Sequence, residues 1–370
     1  MSAFSSSDKR LANLHWPLVL STGLICGLGI WNLASASRGA LQNVWQLQMM
    51  WMLIGVIAVT VFLFIDYRWL STLAWPGYVL AIGLLTAVAF RGKKVLGARR
   101  WLQLGRFQVQ PSELVKLALI VLLARFFAKD EEGARQGDYG LRQLWRPFAL
   151  ILLPVGLIMK QPDLGTALMA FAVCMTMVMF AKVRLKSLMV LLIGGALATT
   201  FAWKYALKDY QKQRVYTFLD PEAFARSSGY HSIQSVIAVG SGQLTGKGWA
   251  EGTQNALSFL PEQHTDFIFS VWAEEHGFLG CFGLLFLYGF LILTAMDVAA
   301  NARDKFGAFL CLGVAALFFW HAFVNVGMVS GMLPVVGVPL PLFSSGGTSV
   351  VVDLVGIGVL LNVSLRRFMF

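Results

Sequence analysis

The chain carries a series of apolar runs, each about as long as a bilayer-crossing helix, and that series leaves few folds open. A spanning helix needs roughly 20 residues to cover about 30 Å of hydrocarbon. Such runs lie near 17–35, 47–65, 69–89, 112–128, 147–161, 164–181, 186–205, 267–296, 304–330 and 343–364. Hydrophobic residues make up 57% of the 370 and charged residues 13%, a balance no water-soluble core of this size requires. The expected fold is an all-α polytopic membrane protein of ten spans, a single integral membrane domain over residues 1–370. An even number of spans puts both termini on one side. The fifth and sixth runs are short and parted only by Gln161, Pro162 and Asp163, so they also admit reading as one.

Cys26, Cys174, Cys281 and Cys311 all fall within apolar runs without His companions, and read as small core residues rather than a disulfide framework or zinc site. The histidines are scattered at 15, 231, 264, 276 and 321, so no metal cluster is expected. Lys9 and Arg10, an apolar stretch and Ala34-Ser35-Ala36 imitate a cleavable signal peptide. With nine further spans behind it, a first helix retained as an anchor is the simpler account.

Charge gives the orientation only with difficulty. With a cytoplasmic N-terminus, Lys and Arg divide equally between the inner and outer segments, and the count alone decides nothing. Apart from Arg38 and Lys160, the outer positives gather in a short stretch, 91–116, and in a long one, 204–247. Long loops weigh little in the positive-inside rule, but the short basic loop breaks it. A basic outer loop kept against that rule points to an anionic ligand, or to anionic lipid headgroups.

Between the seventh and eighth spans lies a polar stretch over about 206–265, much longer than an idle connector. Residues 230–239 show helical apolar spacing, and 240–249 are rich in glycine. The expectation is a structured outer loop of short helices folded over the spans.

Four constellations are candidates for chemistry. In Gln110-Pro111-Ser112-Glu113, Pro111 suits a helix start, and Glu113 and Lys116 then share a face. They form either a self-neutralising ion pair or, with Arg99, Arg100 or Arg106 above, a phosphate site. Asp163, just before an apolar run, is by default a helix cap, with room for a role beside Lys116. The outer loop adds Arg214 and Lys247, and Gly240, Gly242, Gly246 and Gly248 would let backbone approach a ligand. It ends in His264-Thr265-Asp266, a carboxylate at the mouth of an apolar helix, where it is either a cap or a functional group. Glu274 and Glu275 lie deeper and are assigned to packing or a polar interior. Finally, Asn325 to Ser349 contains three prolines and five glycines at membrane depth, which predicts a discontinuous element bordering a cavity.

These pieces together resemble the shape, elongation, division and sporulation (SEDS) family of membrane-embedded peptidoglycan glycosyltransferases, over nearly the whole chain. The matches are Gln110-Pro-Ser-Glu-Leu114 with Lys116, Gln161-Pro-Asp-Leu-Gly-Thr166, Phe218-Leu-Asp-Pro-Glu222, Gly229-Tyr-His231, Leu260-Pro-Glu-Gln-His-Thr-Asp-Phe-Ile-Phe269 and the 325–349 signature. Residues 209–215 and 246–254 are closer to the elongation branch than to the division branch; Gln263 and Ser345 are small departures. The resemblance implies ten spans, both termini cytoplasmic in a bacterial inner membrane, and an outer cavity that polymerises lipid II.

It also implies that Asp266 is the essential residue. The acceptor sugar hydroxyl must lose a proton as it attacks the donor anomeric carbon, and a partly desolvated carboxylate can take it as general base. One displacement with one base inverts the anomeric centre. The polyprenyl pyrophosphate leaving group calls for fixed cations or a metal. The candidates around it are Lys116, Glu113, Arg100, Arg106, Asp163, Arg214, Lys247 and His264. No cofactor is evident in the sequence, and a divalent cation (Mg or Mn) is compatible with the leaving group. The implied partners are lipid II, a class B penicillin-binding transpeptidase and other membrane proteins of the elongation complex; no nucleic acid is expected. The competing class is a lipid II flippase, which broken helices also suit, against which stand the lack of a visible inverted repeat and the position of Asp266 at the mouth.

Overall fold

The computed structural model describes residues 14–38, 43–95, 98–105, 107–130, 138–226, 229–253 and 264–367. Arg106, residues 254–263 and the N-terminal Lys9 and Arg10 therefore lie outside the described residues. Among the described residues there are ten long helices: α1 (Trp16–Ala36), α2 (Val44–Phe64), α3 (Arg68–Arg91), α4 (Pro111–Lys129), α5 (Leu141–Lys160), α6 (Leu164–Phe180), α7 (Leu185–Phe201), α10 (Ile268–Ala300), α11 (Lys305–Val329) and α12 (Gly347–Arg366). Eight helical stretches among the described residues are long and apolar enough to cross a membrane, α7 being counted with the helical turn that carries it on to Tyr205. The other two long helices are α4, which carries Glu113, Lys116, Arg125 and Lys129, and α6, which has only 17 residues. The bundle surface is itself apolar: Phe64, Phe90, Leu185 and Leu293 stand exposed, a surface suited to hydrocarbon.

The most enclosed helices are α11 and α12. α12 lies along α2, while α11 packs against α10, α4 and α6, and α1 covers α10. By contrast α7 stands at the edge, with 6% of its span buried. Local chemistry sets several boundaries. Pro111 opens α4 where its missing N–H costs nothing, and Asp163 and Asp304 cap α6 and α11 by accepting from Thr166 N and Gly307 N.

Two features go beyond the expected pattern, and a third agrees with it. The short basic loop is a three-stranded antiparallel meander, β1 (Lys93–Val95), β2 (Ala98–Leu104) and β3 (Phe107–Val109), so the fold is not purely helical. The connection after α7 holds α8 (Asp209–Leu219), a turn of 3-10 helix at Glu222–Phe224 and α9 (Gly229–Ser241), as a structured loop should. α10, however, is two helices joined at Gly277, whose φ of 62° and ψ of −162° only glycine adopts readily.

The glycine-rich stretch docks on that joint. Lys247 N and Gly248 N donate to the carbonyls of Glu274 and Glu275, while Phe278 N and Leu279 N donate to Gln243 O and Leu244 O. The groups orphaned by the break are thereby satisfied by main chain. A side chain at Gly246 would sit 2.1 Å from Glu275 O, and one at Gly242 2.0 Å from Ala273 O. The expectation that Gly242 and Gly246 bring backbone to a ligand is thus corrected: the partner they approach is α10.

Candidate active site

The expected discontinuous element is the non-helical run 330–346 between α11 and α12. Side chains from surrounding helices hold it. Asn325 Nδ2 donates to Val338 O at 2.7 Å, His321 Nδ1 faces Pro339 O at 3.4 Å, and Tyr288 hydroxyl donates to Pro341 O. Leu342, at φ 62°, donates its N–H to Asp353 Oδ2 at 3.2 Å. Gln48 grips the end of the run twice, donating to Ser344 O and accepting from Gly346 N. With its backbone satisfied by buried partners, irregular chain at this depth is stable.

Asp266 lies against this run. Its side chain is partly buried, and a Cβ on Gly337 would stand 3.1 Å from Asp266 Oδ2. Gly337 has φ 75°, so both its backbone and the carboxylate beside it favour glycine. The same Asn325 amide that holds Val338 also donates to the Asp266 carbonyl at 2.9 Å. The N-cap position of α10 is Phe267, one residue beyond Asp266. His264 joins through its carbonyl, which accepts from Ser345 N at 2.9 Å.

Two arginines and a second carboxylate complete this end of the bundle. Arg214, on α8, donates to Val336 O at 3.3 Å. Burial, then the like charge of Arg100, pulls its pKa below the ordinary value, against the attraction of Tyr210, Asp163 and Asp266. Arg100 donates to Pro162 O and lies 3.8 Å from Asp163 Oδ1. Asp163 is buried and accepts from Gln110 Nε2 at 3.1 Å besides capping α6. Its cap role and its place beside the arginines therefore coexist. Strand alternation explains why only one of two adjacent arginines takes part: Arg99 is exposed and reaches back to Ala89 O, while Arg100 faces Asp163.

Lys116 is fully enclosed, 2.8 Å from Glu113 Oε2 and 2.8 Å from His321 Nε2. Of the two readings of Lys116, the ion pair with Glu113 is formed, while Arg99 reaches Ala89 O and Arg100 reaches Pro162 O and Asp163. The lysine compensates a buried carboxylate, since an isolated charge there is costly. Lys247 likewise pairs with buried Glu274 at 2.7 Å and with Thr253, locking the glycine-rich stretch to α10. Arg106 lies outside the described residues. The residues that sequence reasoning missed are His321, Asp353, Gln110 and Gln48. A lone aspartate or histidine in an apolar span is itself a signal of interior function, and Asp353 and His321 carried it.

Among the described residues no group of three or more His, Cys, Asp or Glu side chains is disposed to hold a metal ion. Asp163, the acid nearest the arginines, is already taken up by Arg100, Gln110 and Thr166. Among the described residues the donor set does not fit a protein-built metal site.

Comparison with known proteins gives a consistent result. The family model for cell cycle proteins of the FtsW, RodA and SpoVE type matches residues 12–368. The peptidoglycan glycosyltransferase MrdB of Escherichia coli (strain K12) is 44% identical over 297 residues, 79% of this chain and 78% of that protein. A probable peptidoglycan glycosyltransferase FtsW of Trichlorobacter lovleyi is 38% identical over 323 residues, covering 86% and 82%. Among solved structures, one describing the structural coordination of polymerization and crosslinking by a peptidoglycan synthase complex superposes with a TM-score of 0.83 at 32% identity, over 96% of this chain and 99% of that one. The rod shape determining protein RodA of Thermus thermophilus gives 0.71 at 31% identity, over 96% and 98%. A match of this extent and a bundle of this form leave one conclusion: the chain belongs to the FtsW/RodA/SpoVE family and is a membrane-embedded glycosyltransferase.

Proposed function

We propose that the chain polymerises lipid II into glycan strands during cell elongation, with Asp266 as general base. The observation that carries this reading is the setting of Asp266: a partly buried carboxylate held against Gly337 through Asn325, in the field of Arg214. The acceptor hydroxyl oxygen bonds to the donor anomeric carbon as its proton passes to Asp266. The bond from that carbon to the polyprenyl pyrophosphate breaks on the opposite face, so the configuration inverts. Arg214 and Arg100 stabilise the charge that grows on the departing phosphates, as planar donors suited to phosphate oxygens. Glu113, Lys116, His321 and Asp353 act from behind, fixing the broken run that supports the base. No step is routed through a metal.

The protein sits in the bacterial cytoplasmic membrane, with both termini cytoplasmic and the sheet end outside, where Asp266 meets lipid-borne sugar. A class B penicillin-binding transpeptidase and other elongation-complex membrane proteins are its partners, a reading supported by the likeness to a solved synthase complex. The flippase alternative draws on the same broken run, a device also used by transporters. Purified protein with its transpeptidase, given lipid II in detergent, separates the two. Glycan chains establish the polymerase; lipid movement in vesicles without polymer in detergent contradicts it.

A further inference from the structure

The end of the bundle opposite the sheet holds a groove that the glycosyltransferase reading does not use. It has a volume of about 320 Å3 and opens where α3, α4 and α5 meet. Its walls include Trp75, Leu122, Phe126 and Leu150, and its rim carries Arg125, Lys129, Arg146 and Asp130. Among the described residues none of these three cations forms an ion pair. Asp130, the carboxylate at the rim, lies beside the Tyr139 hydroxyl.

The site is anchored. Arg125 is half-buried and donates to Ser71 O on α3, which fixes its guanidinium between two helices. Arg146 lies 5.8 Å from the centre of the Trp145 ring. Trp75 and Trp145 are both exposed, as amphipathic rings are at the depth of lipid headgroups. Cations at helix ends are explained in general by topology, but topology requires only that they be on one side, not that they converge. Basic pockets between spanning helices, with apolar walls running below them, are suited to anionic headgroups with attached chains.

We propose that this groove binds an anionic glycerophospholipid of the surrounding bilayer, its phosphate held by Arg125, Lys129 and Arg146 and one acyl chain lying along Leu122, Phe126 and Leu150. The lipid is a bound component of the protein, separate from the lipid-borne substrate. The pocket selects headgroup charge, because three cations outnumber the single carboxylate at its rim and its remaining walls accept any hydrocarbon.

The test is native mass spectrometry of the full-length protein in detergent, titrated with phosphatidylglycerol, phosphatidylcholine or undecaprenyl phosphate. Wild-type protein should bind its first phosphatidylglycerol roughly tenfold more tightly than phosphatidylcholine. The double variant Lys129→Gln/Arg146→Gln should lose most of that preference, with phosphatidylcholine binding unchanged and the melting midpoint of the lipid-free protein preserved. Lys182→Gln/Lys186→Gln, at the same end but off the groove, should change it less than about twofold. Equal wild-type affinity for the two phospholipids would overturn the proposal. So would an unaltered preference in the groove variant, an equal loss in the off-groove variant, or tighter binding of undecaprenyl phosphate than of phosphatidylglycerol.

Discussion

Two interruptions of regular structure at membrane depth are solved in different ways. At Gly277 the break in α10 is closed by main chain, through four hydrogen bonds to residues 243–248. Between α11 and α12 the run 330–346 is held largely by side chains: Asn325, His321, Asp353, Tyr288, Gln48 and Arg214. A main-chain splice needs backbones that can approach closely, hence glycines, but brings no reactive side chains together, and it acts as a structural joint. A run held by side chains brings chemical groups to one place, and Asp266 and Arg214 both touch it. The difference also separates two nearby carboxylates. Glu274, at the joint, is buried and paired with Lys247, whereas Asp266, at the run, stays partly exposed.

That contrast can be broken at either end. The largest effect is expected from Gly277→Ala, because a Cβ there would lie 2.3 Å from Gly246 N on a backbone with positive φ. We expect a loss of at least ~3 kcal/mol, read as a collapse of monodisperse protein in size-exclusion chromatography. Gly337→Ala should instead leave folded protein while displacing the Asp266 carboxylate, lowering turnover about a hundredfold, the cost of a misplaced catalytic group; wild-type turnover would uncouple the run from the base. Lys247→Met removes the partner of Glu274. Since the lysine is partly exposed and Thr253 remains, its thermal melt should report about 2 kcal/mol, less than a fully buried pair would cost, with unchanged activity per folded molecule. Leu244→Ala is the smallest: its side chain is exposed and only its carbonyl serves the joint, so a stability change within about 0.5 kcal/mol is expected. A large change there would mean that the joint depends on side chains after all.

Much of this was legible in the sequence, because hydrocarbon imposes strict rules. Apolar length located the ten helices, and the prolines and glycines of 325–349 announced the broken run. Glu113 and Lys116 were legible as neighbours at i and i+3. The sheet at 93–109 was not, since its strands are short and their charges read as a ligand loop. Nor was the joint at Gly277, a lone glycine inside a strongly apolar helix whose partner stretch lies about thirty residues earlier. The partition of cations was equally hidden. Lys116 and Lys247 meet buried acids, while Arg100 and Arg214 flank Asp163 and Asp266, and only tertiary packing makes that assignment.

The central claim is that Asp266 acts as the base while the rest of the site merely positions it and the departing phosphates. It is tested most directly by Asp266→Asn, purified with its transpeptidase and assayed on lipid II in detergent, with lipid II binding measured in parallel. The account predicts folded protein that binds lipid II within a few-fold of wild type and makes no glycan. Polymerisation near the wild-type rate would contradict it.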